Sequence, residues 1–412
     1  MPSPLAAHDP RRANLRRVLA AKTIRTFAYG FLGILFPIHL ARLGMGADGI
    51  GVALTLTLLA SAGLTWAIRR PAERWGTRQM LLTMSLLFLA GSLCFLAGRA
   101  PWIAVGGAIL LNLAVGMTES GPFMSLEQIV VARAAPAGAQ LNRAFSVYHF
   151  MGYGAAALGA VTVGVPDAVG RWMDEPLSYT SLFWLLLVCG LGQLLLYTRL
   201  DEVKQSAPSR VAGVARPSSV LIRRLAALFA LDAFAGGFAL LSLISYWLYV
   251  RFGVDLASLG LIFLGTQVLS AVSLLVAASV ANRIGLINTM VFSHLVSNGF
   301  LIAMAFAPSA PVAVGFLLAR HLVSQMDVPT RQAYLMSVVE DSEREAAASI
   351  TNTTRTVAQA LSPALTGYIM QAIAVSAPFV LGGLLKVVYD LTLYFSFRHV
   401  KPRGEAALRS SP

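Results

Sequence analysis

The chain has 412 residues, of which 57% are hydrophobic and only 12% charged, with a formal net charge of +13 and a mean hydropathy of +0.69. A soluble domain carries about 25% charged residues, so this composition excludes an ordinary soluble protein and points to one that crosses a membrane several times. The positive charge therefore needs no nucleic-acid partner, because basic residues also accumulate in the cytoplasmic loops of membrane proteins.

Residues 1 to 17 are polar and basic, with Arg11, Arg12, Arg16 and Arg17. The apolar run behind them is too long, and too soon followed by another, for a cleaved leader, so it reads as an uncleaved first span. Apolar stretches near 18–41, 50–68, 79–98, 102–131, 144–165 and 179–198 follow one another, each long enough for about 30 Å of hydrocarbon. The segment 199–224 is rich in Pro, Ser and charge and reads as an exposed linker. Six more spans are predicted near 225–250, 258–281, 287–306, 311–338, 347–375 and 378–397. The expected architecture is an all-α membrane protein of twelve transmembrane helices: a six-helix bundle over 1–198, a cytoplasmic linker over 199–224 and a second six-helix bundle over 225–412.

With the N-terminus inside, 22 Lys and Arg fall on inner segments, against Arg42, Arg99, Arg171 and Arg251 outside. That division predicts a multi-pass protein of a bacterial cytoplasmic (inner) membrane with both termini cytoplasmic. Cys94 and Cys189 lie in apolar runs without neighbours that suggest redox or metal chemistry. No metal site and no cofactor are expected.

The halves echo each other. At a shift of 207, Phe27-Ala28 and Gly30-Phe31 meet Phe234-Ala235 and Gly237-Phe238; at 209, Arg42 and Gly44 meet Arg251 and Gly253, and Glu73-Arg74-Trp75-Gly76 meets Asn282-Arg283-Ile284-Gly285. A parallel repeat of six-helix halves is an architecture that binds substrate near the bilayer midplane.

These features resemble the major facilitator superfamily over nearly the whole chain. The loop RRPAERWGTRQ (69–79), its echo ANRIGLIN (281–288) and the central linker carry the likeness. Against the family pattern Gly-x-x-x-Asp-Arg-x-Gly-Arg-Arg, Arg69 replaces the first Gly, Glu73 the Asp and Thr77 an Arg, while Arg74, Gly76 and Arg78 are kept. The resemblance implies a gating role for Glu73, Arg74, Gly76 and Arg78 and for Arg283 and Gly285 in the second half. GPFMSLEQ (121–128) and MDVPTRQAY (326–334) look like drug-exporter-like bacterial members.

In the fold so implied, spans 1, 4, 7 and 10 line the cavity. Ionisable side chains at that depth are costly unless paired or facing water, which makes them the functional candidates. On a continuous helix Arg320, Asp327 and Arg331 form one stripe, and Pro329 bends the helix there and frees the carbonyl of Gln325. Asn112 and Glu119, seven apart, are expected to share a face, with Glu119 as proton carrier or as a fixed partner of Arg25. Arg25 and Asp232 occupy equivalent repeat positions with opposite charge and are expected to face each other, as latch or as transport element. Arg355 and His149 complete the pathway candidates. Lys386 and Asp390, spaced i and i+4, read as a local pair, and His39, His294 and His321 as packing or interface residues.

No phosphate-binding G-x-x-x-x-G-K-[ST] occurs, which argues against a primary pump, and no nucleophile with a base suggests a membrane-embedded enzyme, the remote alternative. The predicted activity is secondary transport by a monomer in the lipid bilayer: proton-coupled export of a small-molecule organic substrate by alternating access, not catalysis. The alternative is uptake or exchange of a small organic anion, because Arg25, Arg320, Arg331 and Arg355 outnumber Glu119, Asp232 and Asp327.

Overall fold

The computed structural model describes residues 10–115, 121–134, 139–165, 175–201, 220–339 and 343–399, without the side chains of 139–142, 175–179 and 345–346. Among these residues the regular structure is helical throughout. In chain order the helices are α1 (Pro10–Arg42), α2 (Ala47–Ala67), α3 (Arg69–Trp75), α4 (Thr77–Ala97), α5 (Pro101–Leu110), α6 (Pro122–Ala134), α7 (Ala139–Thr162) and α8 (Glu175–Thr198). They continue as α9 (Val220–Gly237), α10 (Leu241–Phe252), α11 (Leu256–Ile284), α12 (Leu286–Ala305), α13 (Ala310–Ser324), α14 (Asp327–Val338), α15 (Arg344–Ala372) and α16 (Ala377–Phe397).

By length and apolarity, 8 of the described helical runs can cross a membrane, counting Val220–Phe252 as one. The other four predicted spans are the irregular ones. α5/α6 and α13/α14 are broken helices, and α7 and α15 carry many polar residues. Irregular backbone at membrane depth is tolerated where protein or a wet cavity covers it, so the helix ends at Leu110 and Ser324 call for such cover, whereas α7 and α15 are unbroken.

The internal repeat appears in the helix boundaries. Pro10–Arg42 recurs 210 positions later as Val220–Phe252 (10 to 220, 42 to 252). The turn glycines recur as well: Gly76 has φ 90° and Gly285 φ 88°, and Gly44 and Gly253 both have positive φ. A side chain is disfavoured in that conformation, so these positions end one helix and start the next at matching places in both halves.

The chain divides into two compact units, one of residues 1–44 with 57–209 and the other of 45–56 with 210–412. In the first unit α1 packs against α7, α8 and α6. The α1–α7 contact is a backbone approach: a Cβ on Gly159 would lie 1.9 Å from the Phe27 carbonyl oxygen, and one on Gly30 2.2 Å from that of Ala156. In the second unit α9 packs on α15 and α16, and α12 on α16, α13 and α14. Its apolar core includes Phe229, Met290, Tyr334, Leu393 and Phe397. The start of α2 belongs here too, because Gly51 meets Gly367 and the Thr55 hydroxyl accepts the Ala364 N–H at 2.9 Å.

Large apolar side chains such as Leu275 (80% exposed) and Phe150 (77%) stand on the outer surface. Lipid tails, not water, are the solvent such a surface fits.

Candidate functional site: two buried charge clusters

Each unit buries one cluster of ionised side chains. In the first, Arg25 of α1 and Glu127 of α6, both with fully buried side chains, form a two-pronged ion pair: Nη2 to Oε2 at 2.7 Å and Nη1 to Oε1 at 3.1 Å. The Tyr197 hydroxyl donates to Oε1 at 2.5 Å, and the Tyr148 hydroxyl to Oε2 at 2.7 Å. The guanidinium lies 4.2 Å from the centre of the Phe123 ring, and Lys22 Nζ lies 3.9 Å above the ring of Tyr148. A carboxylate with both oxygens occupied and an arginine held on two nitrogens make a sealed unit. Planar two-point pairing of this kind is how arginine is best accommodated away from water.

The carboxylate that Arg25 meets is thus Glu127. Arg25 and Asp232, expected to face each other, are each engaged with charges of their own unit. Glu119 lies outside the described residues. The face it was expected to share with Asn112 lies outside them with it; α5 ends at Leu110, and Asn112 adopts a left-handed φ of 55°. Asparagine tolerates that conformation, which ends the regular helix at Leu110. His149 is exposed, edge-on to Tyr148 with ring centres 5.3 Å apart.

The second cluster centres on Asp232 of α9. Oδ1 accepts from Lys386 Nζ of α16 at 2.6 Å, and Oδ2 from Arg355 Nη1 of α15 at 2.8 Å and Arg331 Nη1 of α14 at 3.3 Å. Arg331 also donates to Asp327 at 2.7 Å. Lys386 lies 3.3 Å from His294 Nε2 of α12, and His294 Nδ1 lies 2.7 Å from Asp390 Oδ1, whose Oδ2 accepts from Asn298 at 2.9 Å. One connected network therefore links α9, α12, α14, α15 and α16. Apart from Arg355, which is 24% exposed, the charged members are nearly dry.

Three expectations are corrected by this geometry. Lys386 and Asp390 are not a local pair, because Lys386 reaches Asp232 and Asp390 reaches His294. His294, expected to be a packing or interface residue, is a polar junction. The Arg320–Asp327–Arg331 stripe does not lie on one helix: α13 ends at Ser324 and α14 begins at Asp327. The carbonyl of Gln325 is not free either, since it accepts the Val328 N–H at 3.3 Å. The Asp327–Arg331 part of the stripe survives, one turn apart on α14. Arg320 remains near enough to feel the charges of Asp232 and Asp327, and its buried Nε makes no hydrogen bond among the described residues. The missed signal was His294 and Asn298, one turn apart and so on the same helical face of their span.

The expected gating positions sit at the helix ends. Glu73 and Arg74 are exposed on α3, Arg283 is exposed at the end of α11, and Arg78 donates to the Thr198 carbonyl at 2.7 Å. Gly76 and Gly285 form the positive-φ junctions already described.

The chain matches the family model described as Major Facilitator Superfamily over residues 18–324 and 226–412. An uncharacterized membrane protein of Saccharomyces cerevisiae is 21% identical over 421 residues, covering 93% of this chain and 94% of its own. The crystal structure of the nucleoside transporter NupG superposes with a TM-score of 0.74 at 12% identity, covering 94% of this chain and 99% of that one. That of a D-xylose-proton symporter gives 0.69 at 15% identity, with 95% and 98% covered. The broken spans, the repeated helix boundaries and these matches together establish that the chain belongs to the Major Facilitator Superfamily, as a multi-pass membrane protein of the secondary-transporter class.

Proposed function

We propose that this chain is a proton-coupled exporter of a small organic compound, working as a monomer in a bacterial cytoplasmic membrane with both termini inside. The observation that carries the coupling is the Asp232 network, in which Lys386, Arg331 and Arg355 share one carboxylate within 3.3 Å. Cations held in common by one anion can be redistributed for far less than it would take to create or destroy an isolated buried charge. A protonation change or a charged substrate therefore has leverage on five helices at once. The Arg25–Glu127 cluster supports a fixed brace in the first unit, with the moving charges in the second.

A second reading, transport of an organic anion, is favoured by one specific observation. In the second unit Arg320, Arg331, Arg355 and Lys386 face Asp232, Asp327 and Asp390, one cation more than carboxylates, and Arg320 Nε has no hydrogen-bond partner among the described residues. Arg25 drops out of that tally because Glu127 neutralises it.

The test is purified protein in liposomes with labelled uridine, D-xylose, 5-aminolevulinic acid and benzoate, under pH gradients of either sign. Gradient-driven accumulation that a proton ionophore abolishes supports coupling, and the sign of the effective gradient gives the direction. Transport indifferent to the gradient refutes coupling, and movement of benzoate alone favours the anion reading. A reporter fused after Pro412 is expected on the cytoplasmic side; periplasmic activity refutes the orientation.

A further inference from the structure

Asp390 is buried to 0% exposure, yet neither of its close partners, His294 and Asn298, is permanently charged. A carboxylate so placed is stabilised by a proton in its immediate surroundings, and the imidazole 2.7 Å away is a group that can carry one. The other face of that ring is the decisive feature. His294 Nε2 stands 3.3 Å from Lys386 Nζ and 3.7 Å from Asp232 Oδ1, the oxygen that Lys386 occupies at 2.6 Å.

We propose that His294 and Asp390 are the proton-carrying pair of this transporter, and that a proton on His294 Nε2 and the ammonium of Lys386 alternate as partners of Asp232 Oδ1. The inference rests on the reading of the chain as proton-coupled. With the ring neutral, Nδ1–H donates to Asp390 and the Nε2 lone pair accepts from Lys386, so Lys386 bridges His294 and Asp232. When a proton from water binds Nε2, a new N–H bond replaces that lone pair. The imidazolium then donates to Asp390 on one side and to Asp232 Oδ1 on the other, and it repels the ammonium beside it. Lys386 leaves Oδ1, and its charge becomes available to a substrate or to a different helix arrangement. Loss of the same proton from Nε2 to water on the opposite side restores the bridge.

The surrounding groups favour this exchange. From α16, Tyr389 stands edge-on to the imidazole with ring centres 6.0 Å apart, next to Lys386 and Asp390. From α14 and α15, Arg331 and Arg355 hold the other Asp232 oxygen, Oδ2, and so keep the carboxylate in place while Oδ1 changes partner. Asp327 neutralises Arg331. From α13, His321 Nδ1 lies 2.8 Å from the Leu317 carbonyl, and Arg320 adds a positive charge within range of Asp232. α11 contributes Arg283 at its exposed end only. Arg331 and Arg355 are thus anchored on Oδ2, which leaves Lys386 as the cation on Oδ1 that the proton displaces.

Nitrogen NMR of ¹⁵N-histidine-labelled protein in nanodiscs tests this without a known substrate. The chain holds 6 histidines, and His294→Gln assigns the resonance by its disappearance. The expected result is a ring with Nδ1–H at pH 9 that becomes doubly protonated before pH 5, with the change displaced toward acid by at least one pH unit in Asp390→Asn. A ring that keeps one state from pH 5 to 9 overturns the proposal, as does a titration unmoved by Asp390→Asn. If Asp390→Asn does not fold, the wild-type titration alone decides. In liposomes, with whichever of the four labelled compounds wild type accumulates, His294→Gln is expected to reduce gradient-driven accumulation tenfold more than it reduces exchange. Absence of coupling in wild type refutes the functional reading, whereas a coupled wild type with an inert His294 refutes only this pair.

Discussion

Replacing Asp232 with Asn removes the one carboxylate that Lys386, Arg355 and Arg331 share. Asp327 still holds Arg331, but Lys386 and Arg355 lose their ion-pair partner. The neutral amide keeps the shape and accepts hydrogen bonds on one oxygen, so the loss is mainly of charge. Breaking a buried pair by removing one partner costs about 3 to 5 kcal/mol. At about 2 to 4 °C per kcal/mol for a unit of this size, Tm should fall by roughly 6 to 20 °C. Asp327→Asn should cost less than half of that, because Arg331 retains Asp232 at 3.3 Å, and its defect should appear in transport. The double variant Asp232→Asn with Lys386→Met restores the wild-type balance of one excess cation and should recover most of the lost Tm. Tryptophan-fluorescence melting in detergent measures all three. An Asp232→Asn protein that melts within 2 °C of wild type, or a double variant no better than the single, would show that the network does not hold the second unit together.

Three further outcomes follow from the same geometry. Arg25→Met should cost about 3 to 5 kcal/mol by leaving Glu127 buried without its cation, and Arg25→Met with Glu127→Gln should melt closer to wild type; melting curves that rank them the other way contradict a sealed pair. Gly159→Leu should abolish the α1–α7 contact and with it folded protein on size exclusion, since its Cβ would meet the Phe27 carbonyl at 1.9 Å, whereas Gly154→Ala, with open space around it, should elute as wild type. Asp255 caps α11 by accepting the Ser258 N–H at 2.8 Å, which holds its carboxyl below the usual range. A carboxyl lowered on folding stabilises above its unfolded pKa and loses that contribution as pH falls through the folded value. Asp255→Ala should therefore cost about 1 kcal/mol at pH 7 and converge with wild type only as pH falls below the usual carboxylate range; a gap that does not narrow in acid would assign the effect to something other than the charge.

The spans and the repeat were legible because they rest on local properties: an apolar run of sufficient length, and glycines at matching turns. The breaks were legible as well, since Pro122 and Pro329 announce them, but the helices end earlier than the prolines alone suggest. Asn112 goes left-handed ten residues before Pro122, and Gln325 turns four before Pro329. The single stripe expected over 320–331, which assumed an unbroken helix, therefore failed. Partner assignments failed for another reason. Arg25 and Glu127 are 102 positions apart, and Asp232 and Lys386 are 154 apart, so no spacing rule connects them. The i and i+4 rule even misled, because on a buried helix face Lys386 and Asp390 find stronger partners on α9 and α12 than each other.

The two clusters differ in a way that bears on mechanism. Around Glu127, one cation and two phenol hydroxyls fill both carboxylate oxygens. Around Asp232, Lys386 and His294 approach a single oxygen from within 3.7 Å, and Arg331 divides its donors between two carboxylates. A conformational switch requires two arrangements of nearly equal free energy, and a ligand or proton shifts the balance only by its differential interaction with them. The first cluster has one good arrangement and suits a brace. The second has several, related by moving one proton and one ammonium over a few ångströms, and it joins five helices, so a local exchange at Asp232 is felt across the unit. The same reasoning orders the variants: substitutions at Glu127 should change stability first, and substitutions at His294 should change pH dependence first.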